Sequence, residues 1–139
     1  MAQSIFKAPS LGGSISAIGS IYTGVATFRA ANALASDLRV EGEIIYREAI
    51  RTANIIVEEG QRFAAAQSLQ YIGSGVQVAG SVLVTLGQTR KFAQAEASAT
   101  RTRGAAVRDL ATRTARRTQD QGRAALVGGI LGATASLTL

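Results

Sequence analysis

The sequence contains no cysteine, no histidine and no tryptophan, and its single proline is Pro9. Without cysteine there is no disulfide scaffold, no thiol nucleophile and no zinc site of the usual kinds. Without histidine the commonest general acid–base group is missing as well. Lysine is reduced to Lys7 and Lys91, and the nine acids are spread along helical faces rather than clustered. The chain therefore reads as non-enzymatic: no residue is assigned a catalytic, cofactor-binding or metal-binding role, and no cofactor is expected. Aromatic residues make up only 5% of the chain, so a thick globular core would be hard to fill. After Pro9 no proline interrupts the chain, and everything from Ser10 to Leu139 is free to be helical.

Charge is absent from two stretches in particular. Ala8 to Phe28 carries none, and Gly12, Ser16, Ser20 and Gly24 recur there every fourth residue. Ala124 to Leu139 carries none either, and Gly128, Gly132 and Ser136 repeat the step. Small residues at this spacing leave a smooth groove along a helix and let another helix approach closely, in lipid or in tight oligomers. These seven positions are the expected oligomer or membrane packing face. The first stretch is barely long enough to span a bilayer. The second, at sixteen residues, falls short of the ~20 that a spanning helix needs. A shared packing face that can also turn toward lipid fits them better than a fixed anchor.

The rest of the chain predicts an all-α fold: an elongated antiparallel helical hairpin of two long helices with glycine-rich apolar ends, packed against further copies of itself as a homo-oligomer. It reads as a single elongated helical domain over 1–139. Its parts are an N-terminal arm (1–10), a first long helix (11–70), a glycine-rich turn (71–81), a second, basic helix (82–123) and an apolar tail (124–139). The arm is not read as a secretory signal, since the apolar run after Lys7 is broken by small and polar residues. On the first helix, Leu34, Leu38, Ile45, Ala49, Ile56 and Gly60 form a stripe with an eleven-residue period, which favours long side-by-side packing. Glu43 with Arg47, Glu48 with Arg51, and Glu58 with Arg62 stand at ion-pair spacing. The uncharged run from Phe63 to Thr89 could span a bilayer on length alone. Its Gly-Ser-Gly triplet and alternating small residues favour a turn instead. The second helix is expected to pack through Leu83, Leu86, Phe92, Ala95, Ala106, Val107, Leu110 and Ala111. Phe28 and Phe92 read as core, and Tyr22 and Tyr46 as packing groups. A turn in the middle brings the two glycine-striped ends together at one tip.

The positive charge is uneven. Residues 29–62 hold five arginines against six acids, whereas residues 90–123 hold nine basic residues against Glu96, Asp109 and Asp120. Arg101, Arg103, Arg108, Arg113, Arg116, Arg117 and Arg123 are the candidates for contact with DNA or an acidic partner. The plainer expectation is that they pair with acids on the first helix. No aromatic residue interleaves with them as sequence-specific DNA reading would favour.

The strings GSISAIGSIYTGV (13–25), GSGVQVAGSVLVTLGQ (73–88), ATRTRGAAVRD (99–109) and GRAALVGGILGATASLTL (122–139) follow an order that resembles the small internal virion, or ejection, proteins of tailed bacteriophages. The resemblance runs along nearly the whole chain and is compositional; it departs at Thr102, where an aromatic residue is common. It implies packing as a multi-copy ring inside the virion, at the portal or tail lumen. It also implies exit ahead of the genome and a part in the conduit across the host envelope. The partners it implies are further copies, portal or tail proteins and other ejection proteins, with non-specific contact to genomic DNA and to the host outer membrane. Two other readings fit the same residues: a portal- or tail-lumen plug or collar that never enters a membrane, and a basic nucleic-acid-associated protein acting through residues 90–123.

Overall fold

The computed structural model describes residues 11–137, with side chains described for 18–135. Two helices account for nearly all of it, α1 (Leu11–Gly73) and α2 (Ser81–Leu137), packed against each other as a helical hairpin. The N-terminal arm 1–10 lies outside the described residues. The apolar tail beyond residue 124 is no separate segment, since α2 runs through it unbroken to Leu137.

The turn is shorter than the glycine spacing suggested, occupying 74–80 rather than 71–81. Its residues explain why α1 stops. Gly75 takes a positive φ of 77°, and its amide bonds the Ile72 carbonyl at 3.0 Å while the Val76 amide bonds the Tyr71 carbonyl at 3.0 Å. This is the Schellman closure, in which a left-handed residue folds the chain back onto its last carbonyls. Gly80, at φ 56°, opens α2, its carbonyl accepting the amide of Val84 at 3.3 Å. The run 63–89 is thus helix, turn and helix. Among the described residues, no helix is long and apolar enough to cross a membrane.

The hairpin comprises two compact units, one joining the chain up to Leu38 with the stretch from Arg113 onward, the other Arg39–Thr112. In the second unit the helices meet through glycine and alanine. A Cβ added at Gly42 would lie 2.7 Å from that of Ala111, and one added at Gly60 or Gly104 would overlap Ala93 or Ala49. A step of seven and then eleven along α1 (42, 49, 60) is met by the same steps backward along α2 (111, 104, 93), so the helices are antiparallel. The first unit is built alike. A Cβ on Gly122 would sit 2.6 Å from that of Ala31, and Gly24 lies against Leu126 and Gly129.

Buried hydrophobic side chains follow the same logic. Ala35, Ala53 and Ala64 of α1 and Ala97 and Ala115 of α2 are at most 1% exposed, and among the described residues Leu86 is the one large member. Each glycine in a helix interior costs about 1 kcal/mol relative to alanine. The offset here is close approach: the Cβ position of Gly42 lies only 3.4 Å from the Arg108 Cα, so the two backbones are in direct contact. Threonine fits both helices because its hydroxyl turns back on its own helix, as Thr100 does to the Glu96 carbonyl and Thr112 to the Arg108 carbonyl.

The eleven-residue period is present, but other residues carry it. Of the expected α1 stripe, Ala49 and Gly60 face α2, Leu38 and Ile56 are half-buried, and Leu34 and Ile45 are exposed. On α2 only Leu86 and Ala111 turn inward. Leu83, Phe92, Ala95, Ala106, Val107 and Leu110 are exposed, and Phe92 is not core, being 72% exposed. Phe28 is half-buried beside Gly122. The physical reason is space. Where backbones touch there is no room for leucine or phenylalanine, and the bulky residues are displaced to flanks and outer faces.

Candidate interaction surfaces

The expected packing face divides once the helices pair. Ser20 and Gly24 do meet α2: a Cβ on Gly129 would come 2.7 Å from the Ser20 carbonyl oxygen, and one on Gly24 3.2 Å from that of Ala125. Gly128 and Gly132 are exposed, with open space at their Cβ positions. The residue that packs is Gly129, one position along from the expected row. The side chains of Gly12, Ser16 and Ser136 lie outside the described residues.

The seven arginines divide too. Arg101 donates from Nη2 to Asn54 Oδ1 across the second unit at 2.9 Å. Arg108 lies over the Tyr46 ring, 4.3 Å from its centroid, a cation–π contact that also joins the helices. Both therefore serve the hairpin itself. Arg108 and Arg123 further approach Asp109 and Asp120 on their own helix, at 3.6 and 3.9 Å. Arg103, Arg113, Arg116 and Arg117 are exposed and join no ion pair among the described residues. The expectation that α1 acids neutralise α2 is thus not met. Two of the six α1 acids instead pair within α1, Glu43 with Arg47 at 3.2 Å and Glu58 with Arg62 at 3.8 Å, while Glu48 and Arg51 do not pair.

One concave feature stands out in the second unit. Phe63 and Phe92, 58% and 72% exposed, line a groove of about 830 Å³ together with Gly60, Ala93, Glu59 and Glu96. Among the described residues there is no cluster of acids able to hold a metal ion.

A signal in the sequence becomes legible only with the register known. α2 repeats α1 at an offset of 62 residues, read from Gly42 to Gly104 and from Gly60 to Gly122. Thr27, Ala31, Ala35, Ser36, Arg39, Ala49, Arg51, Thr52 and Ala53 recur as Thr89, Ala93, Ala97, Ser98, Arg101, Ala111, Arg113, Thr114 and Ala115. Most of the recurring small residues are those that meet at the seam. Comparison with protein-family models, with curated proteins and with solved structures finds no match.

Proposed function

We propose that this chain is a non-enzymatic internal virion, or ejection, protein of a tailed bacteriophage. In this reading several copies pack as a ring at the portal or tail lumen and later help form the conduit that carries the genome across the host envelope. The observation that carries the reading is the pairing of the two charge-free ends, Gly24 against Gly129, in a hairpin whose turn bears the GSGVQVAGS string. Such a hairpin presents one apolar, small-residue tip. Large apolar side chains left on outer faces, Ile18, Tyr22, Ile44 and Leu131 among them, suit a protein that works in many copies.

The unpaired Arg103, Arg113, Arg116 and Arg117 favour a second component of the reading, a non-specific path for DNA. Their contact with phosphate would be electrostatic and would weaken steeply with salt. The test is direct. Particles of the phage that encodes the chain are purified, their proteins identified by mass spectrometry, and the particle reconstructed by electron microscopy. The expected result is helical density in several copies beside the portal or tail lumen. Absence of the chain from the particles defeats the proposal. Presence in particles together with no binding to liposomes leaves the plug or collar role in place of the conduit.

A further inference from the structure

The groove of the second unit combines two aromatic rings with two carboxylates. Phe63 and Glu59 of α1 and Phe92 and Glu96 of α2 all line it, and no cation does among the described residues. Neither carboxylate joins an ion pair among those residues, so in a chain of net charge +6 this groove is locally acidic. The neighbouring cations are placed elsewhere. Arg62 pairs with Glu58 at 3.8 Å, and Arg90 lines a separate small recess with Val57 and Gln61. Lys91 stands two residues before the seam residue Ala93, about 200° around the helix from it. Arg103 follows Glu96 by seven residues, about 10 Å further along α2.

The register orders these four residues along the groove. Gly60 lies against Ala93 in an antiparallel pair, so position 59 is level with 94 and position 63 with 90. The backbones of Glu59 and Glu96 are therefore offset along the groove by two residues of rise, about 3 Å, and those of Phe63 and Phe92 likewise. The rings lie nearer the turn than the carboxylates by about one helical turn, roughly 6 Å. The groove thus has a charged end and an aromatic end. The first unit supplies a comparison, because its seam repeats this one with Gly122 against Ala31. At the 62-residue offset Glu59, Phe63, Phe92 and Glu96 become Gln121, Ala125, Ala30 and Leu34. The same backbone contact is made there without rings or carboxylates, so closing the hairpin does not require them.

We infer that this groove binds a small organic cation with an apolar body, an aryl- or alkylammonium. Its ammonium is held by Glu59 and Glu96 and its body lies against Phe63 and Phe92. Charge selects the occupant. Two unpaired carboxylates repel an anion and attract an ammonium, and the negative faces of the two rings favour a cation over a neutral molecule. Size agrees, since about 830 Å³ falls within the range of small-molecule sites. The step of about one helical turn between charge and rings matches a short spacer between ammonium and apolar body. The inference goes beyond the virion reading and does not rest on it.

The probes are 3-phenylpropylammonium, its neutral counterpart 3-phenylpropan-1-ol and the anion 4-phenylbutanoate, titrated calorimetrically into the full chain at low ionic strength. The ammonium is expected to bind about tenfold more tightly than the alcohol, the anion not at all, and added salt to narrow the difference. The Glu59→Gln, Glu96→Gln variant should bring the ammonium down to the level of the alcohol. The Phe63→Ala, Phe92→Ala variant should weaken both. A fourfold variant, Glu59→Gln, Phe63→Ala, Phe92→Ala and Glu96→Leu, carries the side chains of the first unit at these positions. It should lose binding with unchanged helix content by circular dichroism. Should it unfold, the two double variants, all at exposed positions, decide the matter. An ammonium that binds no more tightly than the alcohol overturns the inference. So does either double variant that keeps the parent's affinity for it. A chain missing from virions that still binds the ammonium would defeat the virion role while leaving this site standing.

Discussion

Along the seam, α1 and α2 carry the same small residues at the same spacing, Ala31, Ala35, Gly42, Ala49, Ala53 and Gly60 against Ala93, Ala97, Gly104, Ala111, Ala115 and Gly122. At several outer positions they differ in size and in charge, Ile44 against Ala106 and Glu41 against Arg103. Both helices are equally helical, so propensity does not account for the contrast. What does is tolerance. A position in backbone contact accepts little besides glycine or alanine, while an outer position is free to change and to acquire a partner of its own.

The strongest way to break the comparison is to put bulk into the seam. Gly60→Leu or Gly104→Leu is expected to cost about 3 kcal/mol, the upper end for overpacking, because the added side chain meets Ala93 or Ala49. Ala106→Leu on the outer face should change stability by no more than about 0.5 kcal/mol. Denaturant unfolding followed by helix circular dichroism measures both. If the outer change costs as much as the inner ones, the division into seam and outer face is wrong.

A finer test asks whether the two halves of the seam are equivalent. Gly60→Ala and Gly122→Ala, which meet Ala93 and Ala31, should each destabilise by about 1 kcal/mol, as overpacking outweighs the gain in helix propensity. Effects of opposite sign would show that the repeat is one of sequence only. Neighbouring glycines sharpen the point further. Gly129→Ala should destabilise, facing the Ser20 carbonyl, whereas Gly128→Ala, facing open space, should stabilise by somewhat less than about 1 kcal/mol. Equal effects at the two positions would place the helix phase wrongly.

The smallest effect on stability is expected at the unpaired cations. Changing Arg103, Arg113, Arg116 and Arg117 to glutamine should leave the unfolding midpoint nearly unmoved. If these side chains meet DNA, the slope of log K against log salt should fall by about 0.9 for each phosphate no longer neutralised. An unchanged slope would remove DNA from the account of α2.

Much of the hairpin was legible in advance. The lone Pro9, the Gly73-Ser74-Gly75 triplet and the helical charge spacing suffice for two long antiparallel helices with a turn between them. The phase of the seam was not legible, because residues such as Leu34, Ile45 and Phe92 dominate any hydrophobicity-based stripe while alanine and glycine count for little. Here the small residues are decisive, since it is distance of approach and not area per side chain that the seam is built on. The repeat between helices stayed hidden for a related reason: it is concentrated at positions whose residues are the commonest in the chain. Among the candidate sites, the arginines were read as one class, yet Arg101 and Arg108 are tied to Asn54 and Tyr46 by contacts that no spacing within α2 foretells.

The repeat has a consequence for how a chain recognises itself. Between residues 31–60 and 93–122 the seam reads nearly the same when its helices are exchanged, so that stretch does not by chemistry distinguish α2 of its own chain from α2 of another. What distinguishes them is the tether, the seven residues 74–80. A flexible linker this short holds its two ends at an effective concentration of order millimolar. The left-handed closure at Gly75 then adds direction, returning α2 alongside its own α1. Loosening that turn would turn folding into helix exchange between chains, with every seam contact kept and only its ownership changed.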